Sequence, residues 1–415
     1  MDFHVRQPSS GTPDVGLNSK SRPTGTWDFW DEGPGTHCMI YLDNNATTKI
    51  APEVLDAMLP FLEDRFGNPS SAYAVGRSVR AIIDTARQSV ADLLRVQPSE
   101  IVFTSGGTES DNWSIRGALT AQPSKKHIVT TRVEHEAVRK LCEQLEREGF
   151  ELTWLDVDEN GLLDVDQLRE SIRTDTAVVS VMLANNETGV LFPVDEVAKI
   201  VKESSEALVH VDGVNAVGKI PIDLRRSGVD LFSLSAHKFH GPKGVGALYI
   251  RDGVLLPSMA IGGGQESGRR AGTEAVHQIA GIGAAASLVS NLAPMDTVRS
   301  IRDIFEGEIL RRVPNASLNG DPVRRLPNTS NISFENTNGE AILARLDAAG
   351  ICVSTGSACN SADHTVSPVL HAMNVPYSKA MGSIRFSFGR YNRADEVERV
   401  VDEVRRVVEE LRRMG

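Results

Sequence analysis

Between residues 100 and 250, short apolar runs alternate with amphipathic helical runs, and that alternation constrains the fold more than any other feature of the chain. Strand candidates fall at 100–104, 127–131, 151–155, 177–182, 207–211, 229–234 and 247–250, with helical spacing at 135–148 and 194–206 between them. Several of the strands are apolar on both faces. Such strands need cover on both sides, so the sequence predicts an α/β fold in which helices flank a mainly parallel sheet.

Helical spacing also marks 52–66, with Pro60 as a kink, and 76–95, through Val79, Ile82, Ile83, Ala86, Val90, Leu93 and Leu94. After about residue 290 the texture changes. A helical run at 297–312, a polar turn-rich segment from Asn315 to Asn331, strands near 330–335, 351–353 and 383–388, and a last helix at 394–414 predict a smaller α+β domain. That last helix carries Val397, Val400, Val401, Val404, Val407, Val408 and Leu411 on one face. At 415 residues, two domains are the expectation. Residues 1–38, rich in Ser, Pro, Gly, Thr and Asp, read as a disordered extension, and Met39, which opens the patterned region, is an alternative functional start.

Net charge excludes one class of partner. At −11 the chain lacks the clustered cations that phosphate backbones require, so direct nucleic-acid binding is not expected. Four cysteines, Cys38, Cys142, Cys352 and Cys359, show no paired spacing, which favours a reducing, cytoplasmic compartment. No apolar run approaches the roughly 20 residues of a membrane span.

The stretch Ser233–Gly246, SLSAHKFHGPKGVG, reads as strand, turn, strand and centres on Lys238. A lysine held at a strand end among apolar walls is desolvated, which lowers its pKa and exposes the neutral, carbonyl-reactive amine. A plain loop lysine fits the same residues. In IVFTSGGTESDN (101–112) a short strand runs through Ser-Gly-Gly-Thr into a helix, whose first N–H groups can cradle a phosphate beside the Thr108 hydroxyl. Neither a Walker loop nor a dinucleotide fingerprint is present.

Asp212 ends a strand in ALVHVDGVNAVGK (207–219), where a carboxylate needs a cationic partner such as a protonated pyridine nitrogen, or else caps the next turn. His135 in TRVEHEAV (131–138) begins a helix directly after a strand; it can stack on a planar ring and move protons, or simply start the helix. Asn185 and Asn186 also follow a strand, at the end of the sheet where α/β folds bind ligands. GGGQESGRRAGT (262–273) suits an oxyanion loop. Cys142 and Cys352 have the apolar spacing of buried small hydrophobes, which Cys359, in VSTGSACNS (353–361), lacks. Arg385, in a strand pattern, suits bidentate capture of a carboxylate or a structural ion pair.

In this order the pieces resemble the cysteine desulfurases, pyridoxal-phosphate enzymes of the class V aminotransferase family. YLDNNATT (41–48), FGNPSS (66–71), SGGTESDN (105–112), EHEAV (134–138), NNETG (185–189), HVD (210–212), SLSAHKFHGPKGVGALY (233–249), GGGQESGRRAGT (262–273), STGSACNS (354–361) and IRFSFGR (384–390) carry the resemblance. They span nearly all of the chain beyond residue 38.

The resemblance implies a fold-type I enzyme. Residues 55–295 would form a large cofactor-binding domain with a mainly parallel seven-stranded sheet, 296–415 a smaller α+β domain carrying the cysteine loop, and 39–54 a segment packed on the smaller one. Pyridoxal phosphate would be the cofactor, with Lys238 joined to its aldehyde, Asp212 at its pyridine nitrogen, His135 stacked on its ring, and Gly107, Thr108, Ser235 and His237 around its phosphate. Thr273 would reach the phosphate of the neighbouring subunit, which implies a homodimer. Asn186 and Arg385 would position L-cysteine, and Cys359 would take its sulfur as a persulfide for an acceptor or scaffold protein. Iron–sulfur cluster assembly, tRNA thiolation and sulfur modification of DNA all begin this way.

One residue departs from the family. Asn215 stands where a glutamine usually bonds the ring phenolate, one methylene shorter, so that bond is expected to lengthen or pass through water. The rival readings are a selenocysteine lyase, a related β-lyase or aminotransferase, and a catalytically weak scaffold that keeps the cofactor. Cys359 argues against a transaminase, which needs no such thiol.

Overall fold

The computed structural model describes residues 39–356 and 366–414, so the expected extension at 1–38 and Cys359 lie outside the described residues. The first strand, β1, is Ile40–Tyr41. The central sheet then takes β2 (Ile101–Thr104), β3 (His127–Thr131), β4 (Glu151–Leu155), β5 (Thr176–Met182), β6 (Leu208–Asp212), β7 (Leu231–Ser235) and β8 (Gly246–Ile250). Its seven strands run in the order β2-β8-β7-β6-β5-β3-β4. All neighbours are parallel except β8, which is antiparallel to both β2 and β7. The expected α/β architecture is therefore present.

Two-sided burial explains the unalternating strands. Ile128 and Val178 face helices Gly107–Ala121 and Glu136–Arg147, whereas the next residues along, Val129 and Val179, face the larger core on the other side. Helices Val194–Ser204 and Val276–Val289 contribute to that larger core. Because successive side chains point to opposite faces, both sets must be apolar. Only the edge strand β4 is partly exposed along most of its length.

A second core gathers Ile40, Leu42, the helix Ala293–Arg312 and the helix Val397–Met414, whose valine face is buried as its spacing predicts. It also holds β9 (Ala316–Asn319), β10 (Thr329–Phe334), β11 (Ile351–Cys352) and β12 (Ser383–Ser387). Strand β10 lies between β9 and β12 in an antiparallel sheet, and β1 pairs with β11. Chain order does not divide the cores cleanly: Ala51 and Val54, and later Val369, Leu370 and Met373, belong to the larger one.

Three local expectations change. The helix from residue 52 stops at Met58 and gives way to a 3-10 turn at Leu59–Phe61 that contains Pro60, leaving Leu55 and Leu62 exposed. Within the turn-rich segment 315–331 lies a strand, β9. Its Asn319 amide donates to Asn331 Oδ1 and Ser333 Oγ, both at 2.8 Å, so a buried polar network stands where apolar alternation would have signalled pairing. Cys142 is buried as expected, but Cys352 is only half-buried. No helix among the described residues is long and apolar enough to cross a membrane.

Candidate active site

Strands β3, β5, β6 and β7 run parallel, and β2, two antiparallel steps from β7, points the same way. Their C-terminal ends therefore open on one edge of the sheet, where α/β folds bind ligands. A cavity of about 360 Å³ lies there. Its wall takes Gly107 and Thr108 from beyond β2, Glu134 and His135 from beyond β3, and Asn186 and Glu187 from beyond β5. Asp212 and Asn215 come from the end of β6, and Ser235, His237 and Lys238 from the turn after β7. Asn45, Gly356 and Arg385 close it from the side of the second core.

One end of the cavity suits an anion. Helix Gly107–Ala121 starts at Gly106 without a side-chain cap, so its first N–H groups are left for a ligand. Glycine at 107 is a steric requirement: a Cβ there would meet Val214 Cγ2 at 2.7 Å. The Ser235 hydroxyl stands close, 3.6 Å from where a Cβ on Gly106 would lie. His237 bonds Thr47 Oγ1 through Nδ1 at 3.2 Å. Burial, then Lys238, pushes its pKa down to about 4, so it serves as a neutral hydrogen-bonding group.

The other end collects buried carboxyls. Asp212 Oδ1 accepts the Val214 N–H at 2.9 Å, and burial together with Asp111 pushes its pKa up to about 6. Asp111 is itself pushed up to about 7 by burial, and its Oδ1 has no hydrogen-bond partner. Glu134 Oε1 accepts from Thr131 Oγ1 at 2.8 Å and from the Met182 N–H at 2.9 Å, while Oε2 has no partner. Beneath them, His210 bonds Ser180 and Ser233 at 2.8 and 3.0 Å and is held neutral by burial. Three carboxyls so placed cannot all ionise unless a cation joins them. An anion cradle at one end and a cation-seeking carboxylate at the other match a phosphorylated pyridine.

His135 caps the helix Glu136–Arg147: its Nδ1 accepts the Ala137 N–H at 3.2 Å. That bond needs an unprotonated Nδ1, which puts the proton of the neutral ring on Nε2. Burial lowers its pKa in the same sense.

Lys238 Nζ donates to the Asn45 carbonyl at 2.5 Å. Arg385, 3% exposed, pairs with Asp43 at 2.6 Å and donates to the Asn186 carbonyl at 2.9 Å. The Asn185 side chain instead serves the local turn, accepting the Glu187 and Thr188 N–H groups, both at 2.9 Å. Asn215 is held at both ends of its amide: Nδ2 donates to Asn185 O at 3.2 Å and Oδ1 accepts from Lys219 at 2.8 Å.

Thr273 is exposed and does not line this cavity. Around Cys359, the described chain breaks at Gly356, in the cavity wall, and resumes at Val366. Both flanks meet Glu187: Ser367 Oγ donates to its Oε2 at 2.5 Å, and a Cβ on Gly356, whose φ is +89°, would lie 2.6 Å from the same atom. Glu134, Asp111, Asn45, Glu187 and Lys219 are site or site-supporting residues that motif reading passed over. Four of them lie within the matching stretches but are packed among neighbours that no local pattern reports.

The chain is similar to known proteins in sequence and in fold. The profile of the class V aminotransferases matches residues 40–400. The chain is 51% identical to a cysteine desulfurase of Trichormus azollae over 367 residues, 88% of this chain and 91% of that one. It is 48% identical to the cysteine desulfurase NifS of Azotobacter vinelandii over 365 residues, 87% of this chain and 90% of that one. A solved NifS-like protein superposes with a TM-score of 0.85 at 38% identity, covering 90% of this chain and all of its own. The chain thus belongs to the class V aminotransferase family and, within it, to the cysteine desulfurases, which depend on pyridoxal phosphate.

Proposed function

We propose that this chain removes sulfur from L-cysteine, leaving L-alanine and a persulfide on Cys359. The observation that carries the reading is the position of Lys238, in one cavity with an uncapped helix start on one side and a cation-seeking Asp212 on the other. In this assignment the Gly107 and Thr108 N–H groups, the Thr108 and Ser235 hydroxyls and His237 hold the phosphate. Asp212 would hold the pyridine nitrogen, and Asn215 and His135 would line the rest of the cofactor's site. When bound, pyridoxal phosphate supplies an electron sink for the carbon skeleton of the amino acid.

The protein's own groups do the rest. Lys238 would hold the cofactor through Nζ, and the same nitrogen would carry the α-proton of the substrate. Arg385, braced by Asp43, and Asn186 fix the substrate carboxylate. His135, with its proton on Nε2, would be placed to pass that proton to a bound substrate. The Cys359 thiolate attacks the substrate sulfur: an S–S bond forms, the C–S bond breaks, and its electron pair, with a proton, stays on carbon as the methyl of alanine. Cysteine and enzyme thiol thereby become alanine and enzyme persulfide, with no outside oxidant.

The reading extends to a homodimer, in which the exposed Thr273 completes the phosphate site of the neighbouring subunit, and to an acceptor protein that takes the sulfur, in a cytoplasmic setting. It also keeps 55–295 as the large cofactor-binding domain and 296–415 as the smaller one that carries the cysteine loop.

Two variants test it. Lys238→Ala should abolish the visible absorption of the bound cofactor. Cys359→Ser should keep that absorption but release no sulfide in the presence of a reductant. Sustained sulfide release by Cys359→Ser would remove Cys359 from the reaction.

A further inference from the structure

Lys219 lines a smaller cavity that shares Lys238 with the main one, and no step above uses it. Its Nζ donates to Asn215 O and to Asn215 Oδ1, both at 2.8 Å, and to Asn45 Oδ1 at 3.1 Å. Three acceptors around one nitrogen need three N–H donors, which only the ammonium has; a neutral amine would turn its lone pair on one of the oxygens. The amide orientations are set independently, because Asn45 Nδ2 donates to Asn186 O and Thr329 Oγ1, and Asn215 Nδ2 to Asn185 O. Although burial, Lys238 and Arg385 all press its pKa down, the hydrogen-bond geometry is that of a charged lysine, 7% exposed.

One residue joins the two amines. Lys219 bonds the side-chain oxygen of Asn45, and Lys238 bonds its backbone carbonyl. In a water-poor wall, a charge so near is felt strongly. Among the groups facing the pair, Arg385 on β12 is neutralised by Asp43, and burial keeps His135, His237 and His240 neutral. Arg390 lines the smaller cavity with both lysines, and Asp212, from β6, lines the main cavity with Lys238.

We propose that Lys219 is a positioning residue of this site, a fixed ammonium that disfavours protonation of the Lys238 nitrogen. By holding Asn215 Oδ1 it also leaves the second amide N–H of Asn215 as the group that side chain offers the cavity. The proposal rests on Lys238 as the cofactor lysine.

A pH titration of the visible absorption of the holoenzyme tests it, in the native protein and in Lys219→Met, Lys219→Gln and Lys219→Arg. Loss of a neighbouring positive charge should raise the apparent pKa of the Lys238-bound cofactor by about one unit in the Met and Gln variants. Lys219→Arg, which keeps the charge, should stay close to the native value. An unmoved pKa in the neutral variants, an equal shift in all three, or loss of folding in both neutral variants would overturn the proposal. Failure of the underlying reading shows separately, as visible absorption that survives Lys238→Ala.

Discussion

Arg385 Nη2 lies 2.6 Å from Asp43 Oδ1, which joins a strand near the end of the chain to the residue just beyond its first described strand. A second donor of the same guanidinium reaches the Asn186 carbonyl at 2.9 Å. The arginine therefore lines the cavity already braced on two sides, and the structural ion pair and the proposed carboxylate clamp share one side chain.

Replacing that fork by a point charge separates the two roles. Arg385→Lys keeps the charge but cannot span Asp43, the Asn186 carbonyl and a substrate carboxylate together. The KM for L-cysteine should rise about tenfold or more while kcat falls far less, the pattern of lost ground-state binding worth about 1.4 kcal/mol. Steady-state alanine formation reads both constants, and an unchanged KM would take Arg385 out of substrate binding.

Asp212 makes a pH prediction for the cofactor-free protein. Its folded pKa, about 6, stands above the ordinary carboxyl value of 3.8, so the folded state keeps a proton that the unfolded chain has released. Stability from this group is therefore present at low pH and is lost as pH rises from about 4 to about 6. A difference of that size corresponds to about 3 kcal/mol. Relative to native protein, Asp212→Asn should gain stability across that window, and cofactor loading should remove the difference by giving the carboxylate its cation. Thermal unfolding at a series of pH values is the check; a difference between native and variant that does not change with pH would contradict it.

Ser367 does two jobs beside the break in the described chain. Its hydroxyl donates to buried Glu187, and its oxygen accepts the Val369 and Leu370 N–H groups at 3.1 and 3.2 Å, capping the helix Pro368–Ala372. Ser367→Ala loses a cap worth about 1 kcal/mol and leaves a buried carboxyl oxygen without its donor, a further 1–3 kcal/mol or so. Denaturant unfolding should show a loss of about 2–4 kcal/mol, and sulfide release should fall while cofactor absorption stays. A loss below about 0.5 kcal/mol would mean that the clasp contributes nothing to stability.

Much of this was legible in the sequence. Strands buried on both faces announce themselves as unbroken apolar runs, so the α/β class and most of the β2–β8 positions follow from local pattern. The glycine turn after β2, the strand-end Asp212 and Lys238 between strands β7 and β8 likewise carry local signals, because each chemistry demands a residue type at a strand end. Strand β9 did not, since its pairing rests on buried asparagine and serine rather than on apolar alternation. The 3-10 turn after Met58 replaced continued helix because Pro60 lacks the N–H that an α-helix needs.

By itself, then, the sequence determined which residues stand at the open edge of the sheet, because periodicity and turn residues act over a few neighbours. Only the tertiary structure decided how they are charged and held. Asp111 raises the pKa of Glu134 and of Asp212 because a helix and the ends of two strands bring the three carboxyls to one cavity. Arg385 meets Asp43 across most of the chain, and Lys219 and Lys238 meet at Asn45 across nearly half of it. Electrostatics and hydrogen bonds depend on distance in space, which no local spacing encodes.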